Sequence, residues 1–178
     1  LGNRGAVFDG AGQSIDLAAS STEFLTAMRI ALPEKIFSVN AVGDFGGPAL
    51  RAQEAWDVAY YELWNDPQQD DYLDLHSFLV THHNESNVAP VVAGYVNYDL
   101  AQQYSDQHPG VFNDTSVLLA QSAVLANGGW LVSRGDGTAM LCNEYFPNRS
   151  LQPSEELLRD VDGFHHFAVA YENLLRDG

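Results

Sequence analysis

The chain has 178 residues, of which 46% are hydrophobic, 11% aromatic and 18% charged, a globular composition that argues against disorder. Eight Lys and Arg against 24 Asp and Glu leave a net charge of −16, a field that repels phosphate backbones and anionic lipid, so neither nucleic acid nor membrane is an expected partner. A single Cys, Cys142, excludes an internal disulfide framework, and no apolar run approaches the roughly 20 residues that span a bilayer.

Leu1 stands first with no signal-like segment before it, and the end at Gly178 is equally abrupt, so a piece of a longer polypeptide is expected. The first 19 residues are rich in Gly and polar side chains and read as a loop. Ser20 to Glu23 fits a capping box, and Phe24, Met28 and Leu32 follow at helical spacing until Pro33. Ile36 to Val42 is a mostly apolar run of the kind buried on both faces of a parallel sheet. A short helix around Ala49 to Ala55 precedes a strand from Asp57 to Glu62. Tyr72, Leu75 and Leu79 mark the next helical stripe, and Pro90 to Val96 the next strand. A polar loop is expected from Asn97 to Asn113, then a helix capped by Thr115, and a short strand from Gly129 to Ser133. Ser154 caps a last helix carrying Leu157, Val161, Phe164, Ala168 and Leu175, with Gly163 weakening its middle.

The order is therefore one helix followed by four βα units, with strand starts 22 to 39 residues apart, as parallel crossovers require. No two-residue hairpin turn joins these strands, and no GxGxxG or Walker A segment follows any of them. The expected fold class is α/β, with parallel units amounting to half of a (β/α)8 barrel.

Barrel enzymes carry their chemistry at the C-terminal strand ends. Those ends hold Asn40, then Glu62 with Trp64, then Asn97, Tyr98 and Asp99, and finally Ser133 and Arg134. Carboxylates, amides and aromatics together suit a carbohydrate: ring faces stack on sugars while amides and carboxylates take hydroxyls. A carboxylic acid among apolar groups can keep its proton near neutral pH, and Glu62 has Tyr60, Tyr61 and Trp64 as neighbours. The plain alternative is that Glu62 and Asp99 are solvated residues leaving strands. Asn40, Glu62, Trp64, Asn97 and Asp99 are expected to face one common cleft. The pairs His82-His83 and His165-His166 diverge on a helix or strand and lack metal-site spacing. Neither metal nor cofactor is expected. Ser133, Ser150 and Cys142 lack any acyl-transfer signature.

Six stretches in order carry a wider likeness: Leu1 to Gly5 (LGNRG), Ile36 to Val42 (IFSVNAV), Tyr61 to Trp64 (YELW), Tyr95 to Asp99 (YVNYD), Asn143 to Asn148 (NEYFPN) and Tyr171 to Asp177 (YENLLRD). Together they resemble glycoside hydrolase family 66, which comprises endo-dextranases and cycloisomaltooligosaccharide glucanotransferases. The resemblance implies roughly the second half of a catalytic (β/α)8 barrel over residues 1–178. It implies retaining cleavage of α-1,6-glucan (dextran and isomaltooligosaccharides), with the protein secreted or at the cell surface. By the same resemblance Glu62 inherits the acid/base role. The resemblance places the nucleophile, an Asp, before Leu1 and leaves Asp9 as a rim or substrate-binding residue. Tyr98 and Tyr145 are further sugar-stacking candidates. The short stretch between Asp99 and Phe112 has no room for the binding module that the family's transferases carry there, which favours the dextranase type. A glucanotransferase, a non-catalytic sugar-binding protein, and another barrel enzyme using Glu62 and Asp99 are the alternatives.

Overall fold

The computed structural model describes residues 2–63, 71–145 and 149–176. The chain divides into two compact units, Leu1–Val91 and Val92–Gly178.

The first unit opens not with a plain loop but with an antiparallel hairpin, β1 (Val7–Phe8) and β2 (Ser14–Ile15). Its turn is closed by Asp9, whose carboxylate accepts the N–H groups of Ala11 and Gln13 at 2.9 and 2.8 Å. Helix α1 (Leu17–Ala31) begins earlier than the capping-box signature indicates, because Asp16 is the cap and accepts the Ala19 N–H at 3.0 Å. The hydroxyls of Ser21 and Thr22 instead donate back to the carbonyls of Leu17 and Ala18. Strand β3 (Ser38–Val42), helix α2 (Gly47–Ala52), strand β4 (Val58–Glu62) and helix α3 (Tyr72–Glu85) follow as two βα units, and β5 (Pro90–Ala93) lies beside β4. β3 and β4 are parallel, with Asn40 opposite Tyr60 and Val42 opposite Glu62.

Strand side chains alternate between faces. Ala41, Ala59 and Tyr61 enter a core with Leu50, Ala55 and Trp56, joined at its margin by Leu25, Phe78 and Val88. Asn40, Val42, Tyr60 and Glu62 share the opposite face. β3 is not buried on both faces: Ala41 alone in it is buried, and Ile36, outside the strand, is 80% exposed. The reason is position, since among the described residues β3 ends the strand order and has β4 on one side only. Asp57 fixes the near end of this pair, taking a two-bond contact from Arg29 of α1 at 2.8 and 2.9 Å and the Phe37 N–H at 2.8 Å.

The second unit takes over within β5, which stops at Ala93 rather than Val96. The stretch from Asn97 to Asn113 is not plain loop either, for it holds α4 (Tyr98–Ala101) and β6 (Gly110–Val111). Helix α5 (Asp114–Ala126) is capped by Asn113 rather than Thr115, through the Ser116 N–H at 3.0 Å. Strand β7 (Trp130–Val132) lies beside β5, close enough that the Gly94 N–H donates to the Val132 carbonyl at 2.8 Å. β8 (Leu151–Gln152) pairs in parallel with β6. Ser154 caps α6 (Glu155–Ala170) as the spacing indicates, and α6 runs through Gly163. The helical stretch then breaks at Tyr171, leaving Leu175 on a separate α7 (Glu172–Arg176). Phe112, Val117, Met140, Cys142, Leu151, Leu157 and Val161 form this unit's core.

Candidate active site

In the first unit, the parallel register sets Asn40 and Glu62 diagonally across adjacent strands on one face, close enough for side chains to meet. The Asn40 Nδ2 donates to Glu62 Oε1 at 3.0 Å. The Glu62 backbone is held as well: its carbonyl accepts the Gly43 N–H at 3.0 Å, the last rung beyond β3. A carboxylate at the C-terminal end of a parallel strand, held at both carboxyl and carbonyl, is positioned for proton transfer.

Behind it, on the opposite face of β4, Tyr61 lies in the core. Arg51 Nη1 donates to the Tyr61 hydroxyl at 3.2 Å, and Arg51 also pairs with Asp44 and Glu85. Burial pushes the Tyr61 phenol up, outweighing the opposing effect of Arg51, so it stays protonated. Burial works against the Arg51 charge, yet the Asp44 contact prevails and raises its pKa further. Sequence reasoning passed over Arg51 and Asp44, since nothing in their spacing marks a buried pair seven residues apart.

The histidine pair on α3 diverges. His82 is fully buried among Trp56, Tyr61 and Phe78, while His83 faces solvent. Burial lowers the His82 pKa to about 4, with Arg51 adding to the effect. Among the described residues, no group of three or more His, Cys, Asp or Glu is arranged to hold a metal ion.

Asp9 uses its Oδ1 for both hairpin-turn contacts, as above. Trp64 lies outside the described residues.

In the second unit, Asn97 has a left-handed backbone, φ 65°. Its amide is committed locally, accepting the Asn113 N–H at 2.8 Å and donating to Ser116 Oγ at 2.7 Å. It thus ties the end of β5 to the start of α5. Tyr98 opens α4 and its hydroxyl donates to Glu144 Oε1 at 3.3 Å, joining it to the turn where the Tyr145 N–H meets Asn143 Oδ1 at 2.9 Å. Burial and the Glu144 contact raise the Tyr98 pKa. Asp99 is exposed on the first turn of α4, and Tyr145 is 73% exposed. Tyr98, Glu144 and Tyr145 are thereby one local cluster, with Glu144 the member that sequence reasoning left out.

A family model described as glycosyl hydrolase family 66 matches residues 1–178. A cycloisomaltooligosaccharide glucanotransferase from Niallia circulans is 40% identical over 68 residues, 38% of this chain and 7% of that protein. A dextranase from Streptococcus salivarius is 25% identical over 90% of this chain and 22% of its own length. In fold, the chain is similar to a cycloisomaltooligosaccharide glucanotransferase from Paenibacillus sp., solved with cycloisomaltoheptaose. The TM-score is 0.87 at 19% identity, over 99% of this chain and 43% of that one. The chain thus spans about a fifth of the dextranase and less than half of the solved glucanotransferase.

Proposed function

The chain belongs to glycosyl hydrolase family 66, and from that membership we propose that it forms part of a retaining glycosidase of the dextranase type acting on α-1,6-glucan. In this reading residues 1–178 are the second half of a (β/α)8 catalytic barrel. Glu62 is the acid/base, and the nucleophilic Asp comes from polypeptide preceding Leu1. The observation that supports it is the bond between Glu62, the last residue of β4, and Asn40, two residues before the end of the parallel β3. In the first step Glu62 gives its proton to the leaving glycosidic oxygen as the nucleophile attacks the anomeric carbon. In the second it takes a proton from the water that displaces the nucleophile. Tyr98, Asp99 and Tyr145, with Trp64, are proposed sugar contacts, while Asp9 supports its own hairpin turn and Asn97 the start of α5. A polymeric substrate favours action outside the cell or at its surface.

Two observations favour hydrolysis over cyclisation: the dextranase aligns over most of the chain, and only a short stretch separates Asp99 from Phe112. The transferase reading draws on the higher local identity over 68 residues. Product analysis on dextran separates them, since cyclic isomaltooligosaccharides as the main product identify a transferase.

The test of Glu62 uses the complete polypeptide. Glu62→Gln is expected to lower dextran hydrolysis by about three orders of magnitude or more while sparing the fold. With an aryl glycoside that needs little acid assistance, formation of the glycosyl-enzyme persists, its hydrolysis slows, and azide restores turnover. Near-normal dextran hydrolysis by this variant removes Glu62 from the role.

A further inference from the structure

The segment between β3 and α2 depends on one buried guanidinium. Arg51 is 4% exposed. Its Nη1 and Nη2 meet the two Asp44 carboxylate oxygens at 2.7 and 3.2 Å, its Nε meets Glu85 Oε2 at 2.8 Å, and its Nη1 also reaches the Tyr61 hydroxyl. Gly43, Asp44 and Gly46 all occupy the left-handed region, with φ of 58°, 58° and 76°. For Asp44, which carries a Cβ, that conformation costs roughly 1 kcal/mol and persists because its surroundings hold it. Gly47 leaves no space for a side chain, since a Cβ there would overlap the Asp44 carboxylate.

Both ends of this arrangement touch the backbone of Glu62. Tyr61 directly precedes Glu62, and Gly43, next to Asp44, donates the N–H that the Glu62 carbonyl accepts. One guanidinium thus grips the residue before Glu62 and the loop after β3. A planar fork can hold several such partners at once, which a lysine ammonium cannot do in the same geometry.

We propose that Arg51 is a positioning residue for Glu62, clamping Tyr61 and the Gly43–Gly47 loop so that the carboxyl meets the leaving oxygen in line. This rests on the reading of Glu62 as acid/base. A misplacement of about 1 Å at a catalytic group can cost about 100-fold in rate. The loss must fall on the step that needs the proton, which separates positioning from general support of the fold.

The experiment compares kcat/KM for dextran and for an aryl isomaltooligoside with a dinitrophenolate leaving group, both in the complete polypeptide. Arg51→Met is expected to lower the dextran value about 10- to 100-fold while the aryl value stays within about threefold. Arg51→Lys, which keeps the charge and loses the fork, falls between. Asp44→Asn tolerates the left-handed backbone and loses only the charged acceptor. It is expected to show the same selective loss, about three- to tenfold, and it decides the matter if Arg51→Met fails to fold. Glu62→Gln run alongside must show the selective loss in full. If it does and the Arg51 and Asp44 variants lower both substrates alike, or neither, the positioning role is overturned and the Glu62 reading stands. If Glu62→Gln itself shows no selectivity, the acid/base reading falls and the Arg51 proposal with it.

Discussion

His82 sits in the aromatic core of the first unit with neither ring nitrogen hydrogen-bonded among the described residues. The charged groups that act on it are Arg51 and His83, which disfavour its protonation, and Glu85, which favours it. Burial dominates and sets its pKa at about 4, against 6.5 for an open histidine. The unfolded chain therefore binds a proton below pH 6.5 that the folded chain refuses until about pH 4. Stability from this ring is complete above pH 6.5 and falls as the pH drops through that window, by about 3 kcal/mol in all. Urea midpoints at pH 7, 5 and 4 measure it, and His82→Leu is expected to flatten this part of the slope. An unchanged slope would assign the acid sensitivity to carboxylates such as Asp57, which loses its Arg29 contact on protonation. At this scale the sequence conveys type and position but not partners. Glu62 is legible because it is the one carboxylate that ends a largely apolar strand, with Tyr60, Tyr61 and Trp64 as neighbours. That Asn40 would hold it depends on strand register, which separates the two by 22 residues. Asp9 and Asn97 are equally visible as polar residues at turns, but the local hydrogen bonds to Asp9 Oδ1 and to both ends of the Asn97 amide form only once the backbone turns.

At the scale of elements, legibility follows length and the strength of end signals. α6 is legible because a serine cap, two glutamates in its first turn and an apolar stripe all agree. α1 carries Ser20, Ser21 and Thr22 about one turn inside the helix, where they imitate a cap, while Asp16 performs the capping. The pairs β1–β2 and β6–β8 are two residues per strand, too short for any period to show. Two glycines give opposite expectations. Gly94 faces the backbone of β7, where a Cβ would lie 2.6 Å from the Val132 carbonyl oxygen and 3.1 Å from the Ser133 Cα. Backbone atoms in a sheet cannot swing aside, so Gly94→Ala is expected to destabilise by about 2–3 kcal/mol. Gly163 lies inside α6, and among the described residues nothing comes within 4 Å of the place an alanine methyl would take. Gly163→Ala is expected to stabilise by roughly 0.5–1 kcal/mol through helix propensity and a less free unfolded chain. Denaturant midpoints for the two variants test both signs, and a stabilising Gly94→Ala would deny the close strand approach.

At the scale of the whole molecule, apolar surface is left open in both units. In the first, Phe24 is 63% exposed, Ile30 78% and Ile36 80%, and Phe24 lines a depression with Ser20, Ser21, Leu25 and Val39 of β3, which ends the strand order among the described residues. In the second, Val169 and Leu174 are 69% and 73% exposed. Scattered exposed apolar side chains are ordinary, but an exposed Phe24 beside Val39 of a strand that has, among the described residues, a neighbour on one side only calls for cover. On the half-barrel reading, a preceding βα unit of the complete polypeptide would pack over Phe24 and Ile36 and pair with β3. That reading sets the sign of a substitution by its context. In the isolated 178-residue chain, Phe24→Glu and Ile36→Glu change stability by no more than about 0.5 kcal/mol, because the side chains stand in water. In the complete polypeptide the same changes bury an unpaired charge and are expected to cost about 3 kcal/mol or more each. The isolated chain should also bind a hydrophobic dye and associate with rising concentration, and both Glu variants should lessen this. Small effects in both forms would leave the flank open to water in the complete protein, and the half-barrel would then need another boundary.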